Sequence, residues 1–217
     1  MSILSKQKRI LSMIIVYTHQ LMNISPANDY TIRQILNVNY SGEFGASNLY
    51  KAQIIIARIL HKDLVEMLLE IKKDETHHCL LFKEEMKRYN MVPCKLTWIW
   101  GVAGFMLGFT TALLGRRALL LCINAAELTA HKHLESQIHF LNSCDTQLAD
   151  VITAVNIQEE KHSSMAGIRL ETKPLTRLDS LFHSTICKIC NMTMWIVTRG
   201  ESTKLDLTLE QFMESKQ

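Results

Sequence analysis

The 217-residue chain carries a net charge of +3 with 47% apolar residues, only eight Gly and three Pro. That length suits one domain with a sizeable core, and the scarcity of Gly and Pro, without alternating apolar and polar runs between turn signals, predicts an all-α fold. The positive charge is spread along the chain instead of clustering with aromatic residues, which gives no support to nucleic-acid binding; six cysteines in so core-rich a chain read as reduced thiols of a cytosol or mitochondrial matrix, not as a disulfide framework.

Residues 1–29 read as a leader. Lys6, Lys8 and Arg9 precede the apolar run from Ile10 to Val16, and no acidic residue occurs before Asp29. The apolar part is short and no small-residue cleavage site follows, which argues against a secretory signal and leaves a mitochondrial presequence and a simple leading helix as readings. A helix is predicted from about Tyr30 to Leu60, carrying Leu36, Val38, Leu49, Tyr50, Ile54 and Ile55. Gly42 and Gly45 lie on either side of Glu43. Each glycine inside a helix costs about 1 kcal/mol relative to alanine, so small residues here point to the close approach of another helix, a ligand or a metal site. A second helix, about Asp63 to Tyr89, brings Leu64, Met67, Leu68, Ile71, Glu75, His78, Leu81 and Phe82 to helical spacing. Glu75 and His78 therefore share the stripe that builds the core, where unpartnered polar groups are costly and a metal ion compensates.

Pro93 ends this helix, and the twenty residues from Leu96 to Gly115 follow without an ionisable side chain. That is long enough to span a bilayer. Gly101, Gly104 and Gly108, with Trp98 and Trp100 at one end, equally suit a helix lying in the membrane interface. A single crossing would separate the two halves of the site described below, so interfacial insertion is the preferred expectation. A third ligand-bearing helix, about Ala118 to Leu141, carries Glu127, His131, His133, Leu134 and Ile138, and a fourth, about Thr146 to Leu170, carries Leu148, Ile152, Val155, Glu159, His162 and Met165. After Lys173-Pro174 a last apolar helix, Leu178 to Val197, holds Cys187-x-x-Cys190, which lacks a second pair and reads as core or membrane-facing thiols. The expected organisation is a leader (1–29), a helical bundle domain (30–198) and a frayed or peripheral polar tail (199–217).

One constellation occurs twice. Glu75-x-x-His78 and Glu159-x-x-His162 each lie 32 residues after another glutamate, Glu43 and Glu127, so the set repeats at a constant offset of 84. In a chain with 14 Glu and 9 His a single Glu-x-x-His is weak, but the matched spacing of two is not readily a chance result. Residues three apart share a helix face, so carboxylate and imidazole can reach one ion together. Two helices giving one Glu each, and two giving a Glu and a His, is the inventory of a carboxylate-bridged di-iron site.

Two segments carry a family resemblance. Val38-Asn39-Tyr40-Ser41-Gly42-Glu43-Phe44-Gly45-Ala46 resembles the VNHAGE-x-GA segment of the demethoxyubiquinone hydroxylases, membrane-bound di-iron monooxygenases of ubiquinone biosynthesis, and Trp100 to Gly108 with Thr111 to Gly115 resembles their apolar segment. The resemblance extends over about Asn37 to Val197. It implies a ferritin-like four-helix bundle with additional apolar membrane-interacting helices, and metal ligands at Glu43, Glu75, His78, Glu127, Glu159 and His162, the six that the spacing selects. It further implies two carboxylate-bridged iron ions, O2 as co-substrate, electrons from NADH or the quinol, and a polyprenylated demethoxyubiquinol as substrate. A membrane surface, a lipid-presenting partner protein, and the cytoplasmic face of a bacterial inner membrane or the matrix face of the mitochondrial one complete that picture. His133 matches a family histidine beside the metal centre that supports electron or proton transfer. Tyr40, Ser41 and Leu128 depart from the family's histidine, alanine and acidic residue, which bears on substrate positioning and on hydrogen bonds around the ligands. Asp74 and Glu160 are candidates to orient the histidines, with solvated helix charges the preferred reading. There are two rivals: a ferritin-like iron oxidase or storage protein that uses the same ligands, disfavoured by the uncharged segment, and a catalytically silent membrane scaffold of quinone biosynthesis that holds no stoichiometric iron.

Overall fold

The computed structural model describes residues 24–170, 174–197 and 201–214, and every element among them is helical. Most of the expected leader, up to residue 23, lies outside the described residues. Helix α1 (Pro26–Leu60) begins earlier than the periodicity predicts, because Ser25 caps it by accepting from the Asn28 amide at 3.2 Å and Pro26 occupies the first turn. A single 3-10 turn, Lys62–Leu64, leads into α2 (Val65–Arg88). Helix α3 (Thr97–Leu113) is followed at once by α4 (Arg116–Leu141), the sharp turn falling on Gly115 at φ 111°, a conformation open to glycine. Helices α5 (Thr146–Leu170), α6 (Arg177–Val197) and α7 (Glu201–Glu214) complete the chain. Asp145 fixes the start of α5: it accepts from the Leu148 amide at 3.2 Å and also holds Arg88 and the Tyr89 hydroxyl at the end of α2.

The core consists of two apolar layers, and their order along each helix gives the topology. One layer contains Leu49 and Ile54 of α1, Leu68 and Ile71 of α2, Leu120 and Ile123 of α4, and Ala166 of α5. The other contains Ile32 and Leu36 of α1, Phe82 and Met86 of α2, Leu134 and Leu141 of α4, and Leu148 and Ile152 of α5. Helices α1 and α5 therefore run from the second layer to the first, and α2 and α4 run from the first to the second. The short links α1–α2 and α4–α5 form antiparallel hairpins. Because α2 and α4 point the same way, the chain must return along the length of the bundle between them, and α3 makes that return packed on α1. All six residues of the repeated constellation fall between the two layers in sequence on their helices.

The glycines of the uncharged segment serve this packing. A Cβ on Gly104 would lie 2.2 Å from the Gly45 carbonyl oxygen, and one on Gly108 would lie 2.2 Å from that of Leu49. Backbone meets backbone there, so Gly45 and Gly104 are where α1 and α3 touch. The helical part of the segment is 17 residues long, and among the described residues no helix is long and apolar enough to cross a membrane. The spanning alternative is thereby corrected. Of the two readings of the tail, frayed or peripheral, fraying does not hold for Glu201–Glu214, which is helical, with Leu205 and Leu209 buried against the second apolar layer and Phe212 edge-on to Phe140. All six cysteines are free thiols, and Cys187 and Cys190 pack against the first layer.

Candidate metal centre

Between the layers, Glu43 from α1, Glu75 and His78 from α2, Glu127 from α4, and Glu159 and His162 from α5 converge, and none is more than 6% exposed. The spacing within α2 and α5 aims carboxylate and imidazole inward together. Glu43, Glu75, His78 and Glu159 each bring one ligand atom within 4.8 Å of the others, and so do Glu75, Glu127, Glu159 and His162. The two quartets share Glu75 and Glu159. Those two carboxylates lie in common between the quartets, with Glu43 and His78 on one side and Glu127 and His162 on the other.

Both imidazoles turn Nδ1 inward. His78 Nδ1 lies 3.3 Å from Glu43 and 3.2 Å from Glu159, and His162 Nδ1 lies 3.4 Å from Glu75 and 3.6 Å from Glu127. Their outer nitrogens are held: His78 Nε2 by Gln158 Oε1 at 2.6 Å, and His162 Nε2 by Asp74 Oδ2 at 3.2 Å. An outer Nε2–H so engaged frees Nδ1 as a donor atom to an ion. Asp74 is thus not the solvated charge expected from the sequence, whereas Glu160 is exposed. Tyr50, fully buried on α1, donates its hydroxyl to Glu127 Oε1.

Glu75 Oε1, Glu127 Oε2, Glu159 Oε1 and His162 Nδ1 are buried here without hydrogen-bond partners. Such a cluster is expensive unless a cation joins it. Burial pushes the Glu75 carboxyl well up, reinforced by Glu159 and Glu43, and burial with the neighbouring Glu159 does the same to Glu127. Burial opposes charge on both histidines, but His78 is pushed up to about 12 by Glu159 and Glu43, and His162 to about 9 by Glu127. Glu159 is held below its ordinary value against burial, through Glu127 and His78. Protons thus supply the positive charge that this acidic pocket requires. Four carboxylates and two neutral imidazoles would equally balance two divalent ions, and a carboxylate-rich set with two imidazoles suits iron. The donor set fits two metal ions.

The carboxylates open into a cavity of about 140 Å³. Small residues (Gly42, Gly45, Ala46, Ala126 and Ala130) leave the space, and Trp100, Leu107 and Ile189 line it with apolar surface. His133 is on this wall, but its ring nitrogens are engaged by Asp206 Oδ1 at 3.2 Å and Asn191 Oδ1 at 3.1 Å, not by any of the six. Asp206 raises the His133 pKa. Tyr40 stacks on Phe44 with ring centres 6.5 Å apart, while Val38, Asn39 and Gly42 of the same segment face the cavity. Sequence reasoning missed Tyr50 and Gln158 as supports; Tyr50 lies seven residues after Glu43, two turns along the same face, which is the signal that was there.

Comparison with known proteins identifies the family. A sequence model of the family described as "Ubiquinone biosynthesis protein COQ7" matches residues 30–197. The chain is similar to a Rattus norvegicus protein named "NADPH-dependent 3-demethoxyubiquinone 3-hydroxylase, mitochondrial", 30% identical over 146 residues, and the match covers 65% of this chain and 66% of the rat protein. It is 28% identical over 172 residues to the Dictyostelium discoideum protein of the same name, covering 77% of each. It is 25% identical over 156 residues to a Xylella fastidiosa protein named "3-demethoxyubiquinol 3-hydroxylase", covering 70% of this chain and 71% of the relative. The family match holds all six residues of the centre and α1 to α6 almost entire, and this chain belongs to the ubiquinone biosynthesis protein COQ7 family.

Proposed function

We propose that this protein is a di-iron monooxygenase that uses O2 to hydroxylate the ring of a demethoxyubiquinol in ubiquinone biosynthesis. The observation that carries the reading is the pair of ligand quartets sharing Glu75 and Glu159, open on one side to an apolar cavity. Glu43 and His78 would hold one ion, Glu127 and His162 the other, with Glu75 and Glu159 within reach of both. Iron held there would supply O2 binding and redox chemistry. The chain's part is to fix those ions, keep bulk water out with Leu49, Trp100 and Leu107, and orient the ring. His133, on the same wall, is the residue for proton or electron delivery, its ring held by Asp206 and Asn191. The electron donor is NADH or the quinol; the names of the rat and Dictyostelium relatives carry NADPH instead, which favours a reduced nicotinamide of either kind.

The parallel α2 and α4 joined by a long return support a ferritin-like bundle. Residues 30–198 form its domain, extended at the front to Pro26 and behind by α7. Trp98, Val102 and Met106 on α3 and Leu178, Leu181 and Met192 on α6 are exposed, on two helices that also wall the cavity. That supports peripheral attachment to a membrane, from which a polyprenylated quinol, alone or handed over by a lipid-presenting protein, enters between α3 and α6. A mitochondrial inner membrane's matrix face or a bacterial inner membrane's cytoplasmic face is the corresponding location.

Anaerobic loading with Fe(II), followed by O2 and a short-tailed demethoxyquinol, tests the reading by mass spectrometry. A product heavier by one oxygen is expected, and Glu75→Ala or His162→Ala should abolish it while leaving the protein helical and membrane-bound. Retained turnover in either variant, or release of mineralised iron without hydroxylation, refutes it.

A further inference from the structure

The offset of 84 that relates the ligands also relates the residues behind them. It carries Asp74 onto Gln158, so the residue just before each shared glutamate supports the histidine of the opposite hairpin: Gln158 on α5 holds His78 of α2, and Asp74 on α2 holds His162 of α5. The positions are equivalent but the chemistry is not. A carboxylate behind an imidazole raises the basicity of the nitrogen that faces the ion, whereas a neutral amide orients the ring without adding charge. The same offset carries Tyr50 onto Leu134. Tyr50 pins Glu127 through Oε1, while Leu134 has no hydrogen-bonding group to offer at the matching place, so Glu127 has a fixed geometry that Glu43 does not gain from its counterpart. Both differences favour the same side.

We propose that the two halves of the centre are inequivalent, and that the Glu127/His162 half takes its metal ion before the Glu43/His78 half. Asp74 and Tyr50 are the positioning residues that make it so, and Gln158 is the one that withholds the same support from the other half. The inference rests on the six residues being metal ligands. An ordered pair of sites would let one ion stay resident while the other, with weaker donors, is freer to change its coordination.

The test follows which histidine responds first. Full-length protein with 15N-labelled histidine is titrated anaerobically with Zn2+, which is redox-inert, and the His162 and His78 ring resonances are followed by NMR. In the wild type His162 shifts with the first equivalent and His78 with the second, the apparent affinities differing by about tenfold or more, the scale set by supports behind metal ligands. Asp74→Asn narrows the gap to less than about threefold. The exchange Asp74→Asn with Gln158→Glu moves the carboxylate to the other side at equal total charge and reverses the order. Mutual repulsion between two bound ions also separates two binding steps, but it cannot reverse which histidine responds first. Simultaneous shifts in the wild type, or an order unchanged by the exchange, overturn the proposal while leaving the metal centre standing. Failure to hold two Zn2+ ions at all overturns the metal-centre reading itself, and the inference falls with it.

Discussion

The contact of α1 with α3 makes one substitution destabilising that is stabilising elsewhere. A Cβ on Gly104 would sit 2.2 Å from the Gly45 carbonyl oxygen and 2.9 Å from its carbon, so Gly104→Ala forces the helices apart by roughly 1 Å to restore ordinary contact. No flexible side chain can yield, because both sides are backbone. Overpacking of this kind costs about 1–3 kcal/mol, offset in part by the ~1 kcal/mol that alanine gains over glycine within a helix. A net loss of up to about 2 kcal/mol in a chain of this size lowers Tm by up to roughly 8 °C. Gly167 of α5 is the contrast: the nearest atom to its added Cβ is Asn124 Nδ2 at 3.8 Å, so Gly167→Ala should gain about 0.5–1 kcal/mol and raise Tm by roughly 1–4 °C. Because Gly45 is two residues from Glu43, Gly104→Ala should also weaken Zn2+ uptake, whereas Gly167→Ala should not. Thermal melts by circular dichroism and a Zn2+ titration read both effects. A Gly104→Ala protein that melts at or above the wild-type temperature refutes the close-contact reasoning.

Metal uptake should release up to four protons, from Glu75, Glu127, His78 and His162, whose pKa values are all raised, the histidines to about 12 and about 9. Since ions compete with those protons, affinity should rise with pH through about 9 and fall on acidification; calorimetry in buffers of different ionisation heat measures the count, and pH-independent uptake contradicts it. Tyr50→Phe removes the donor from Glu127 Oε1 and leaves a second buried oxygen of that carboxylate without a partner, so the metal-free protein should lose about 1–3 kcal/mol of stability in urea unfolding; an unchanged midpoint would show that the hydroxyl contributes nothing. Leu209→Ala takes a side chain only 1% exposed out of the contact between α7 and the second apolar layer, at a cost of about 2–5 kcal/mol if the helix stays docked. Amide exchange in α7 should accelerate by an order of magnitude or more, and protection equal to wild type would mean that α7 is held by other contacts.

Much of this molecule is determined by the sequence alone. The 3.6-residue repeat set α2, α4 and α5 to within a few residues of Val65–Arg88, Arg116–Leu141 and Thr146–Leu170, and the three-residue step from Glu to His, with its repeated distance to an upstream glutamate, selected all six residues that the bundle brings together. Of the six, that step gives four, and Glu43 and Glu127 come from the repeated 32-residue spacing; periodicity itself is a local property, readable wherever a helix has one apolar face. What depends on the rotation and direction of one helix against another was not readable in that way. Gly101, Gly104 and Gly108 look alike whether a lipid or a helix faces them, and only the packing gives Gly104 to Gly45. Leu205 and Leu209 sit among polar residues in a short segment, so their burial emerges only once the second apolar layer exists to receive them. Asp74 and Gln158 each carry an ordinary polar side chain on a helix. They become partners of His162 and His78 because two antiparallel hairpins bring residues 88 and 80 positions apart to within hydrogen-bond distance. The ligands follow from the Glu-x-x-His step and its repeated distance to an upstream glutamate, and the inequality of the two halves follows from contacts between helices, which tertiary packing alone decides.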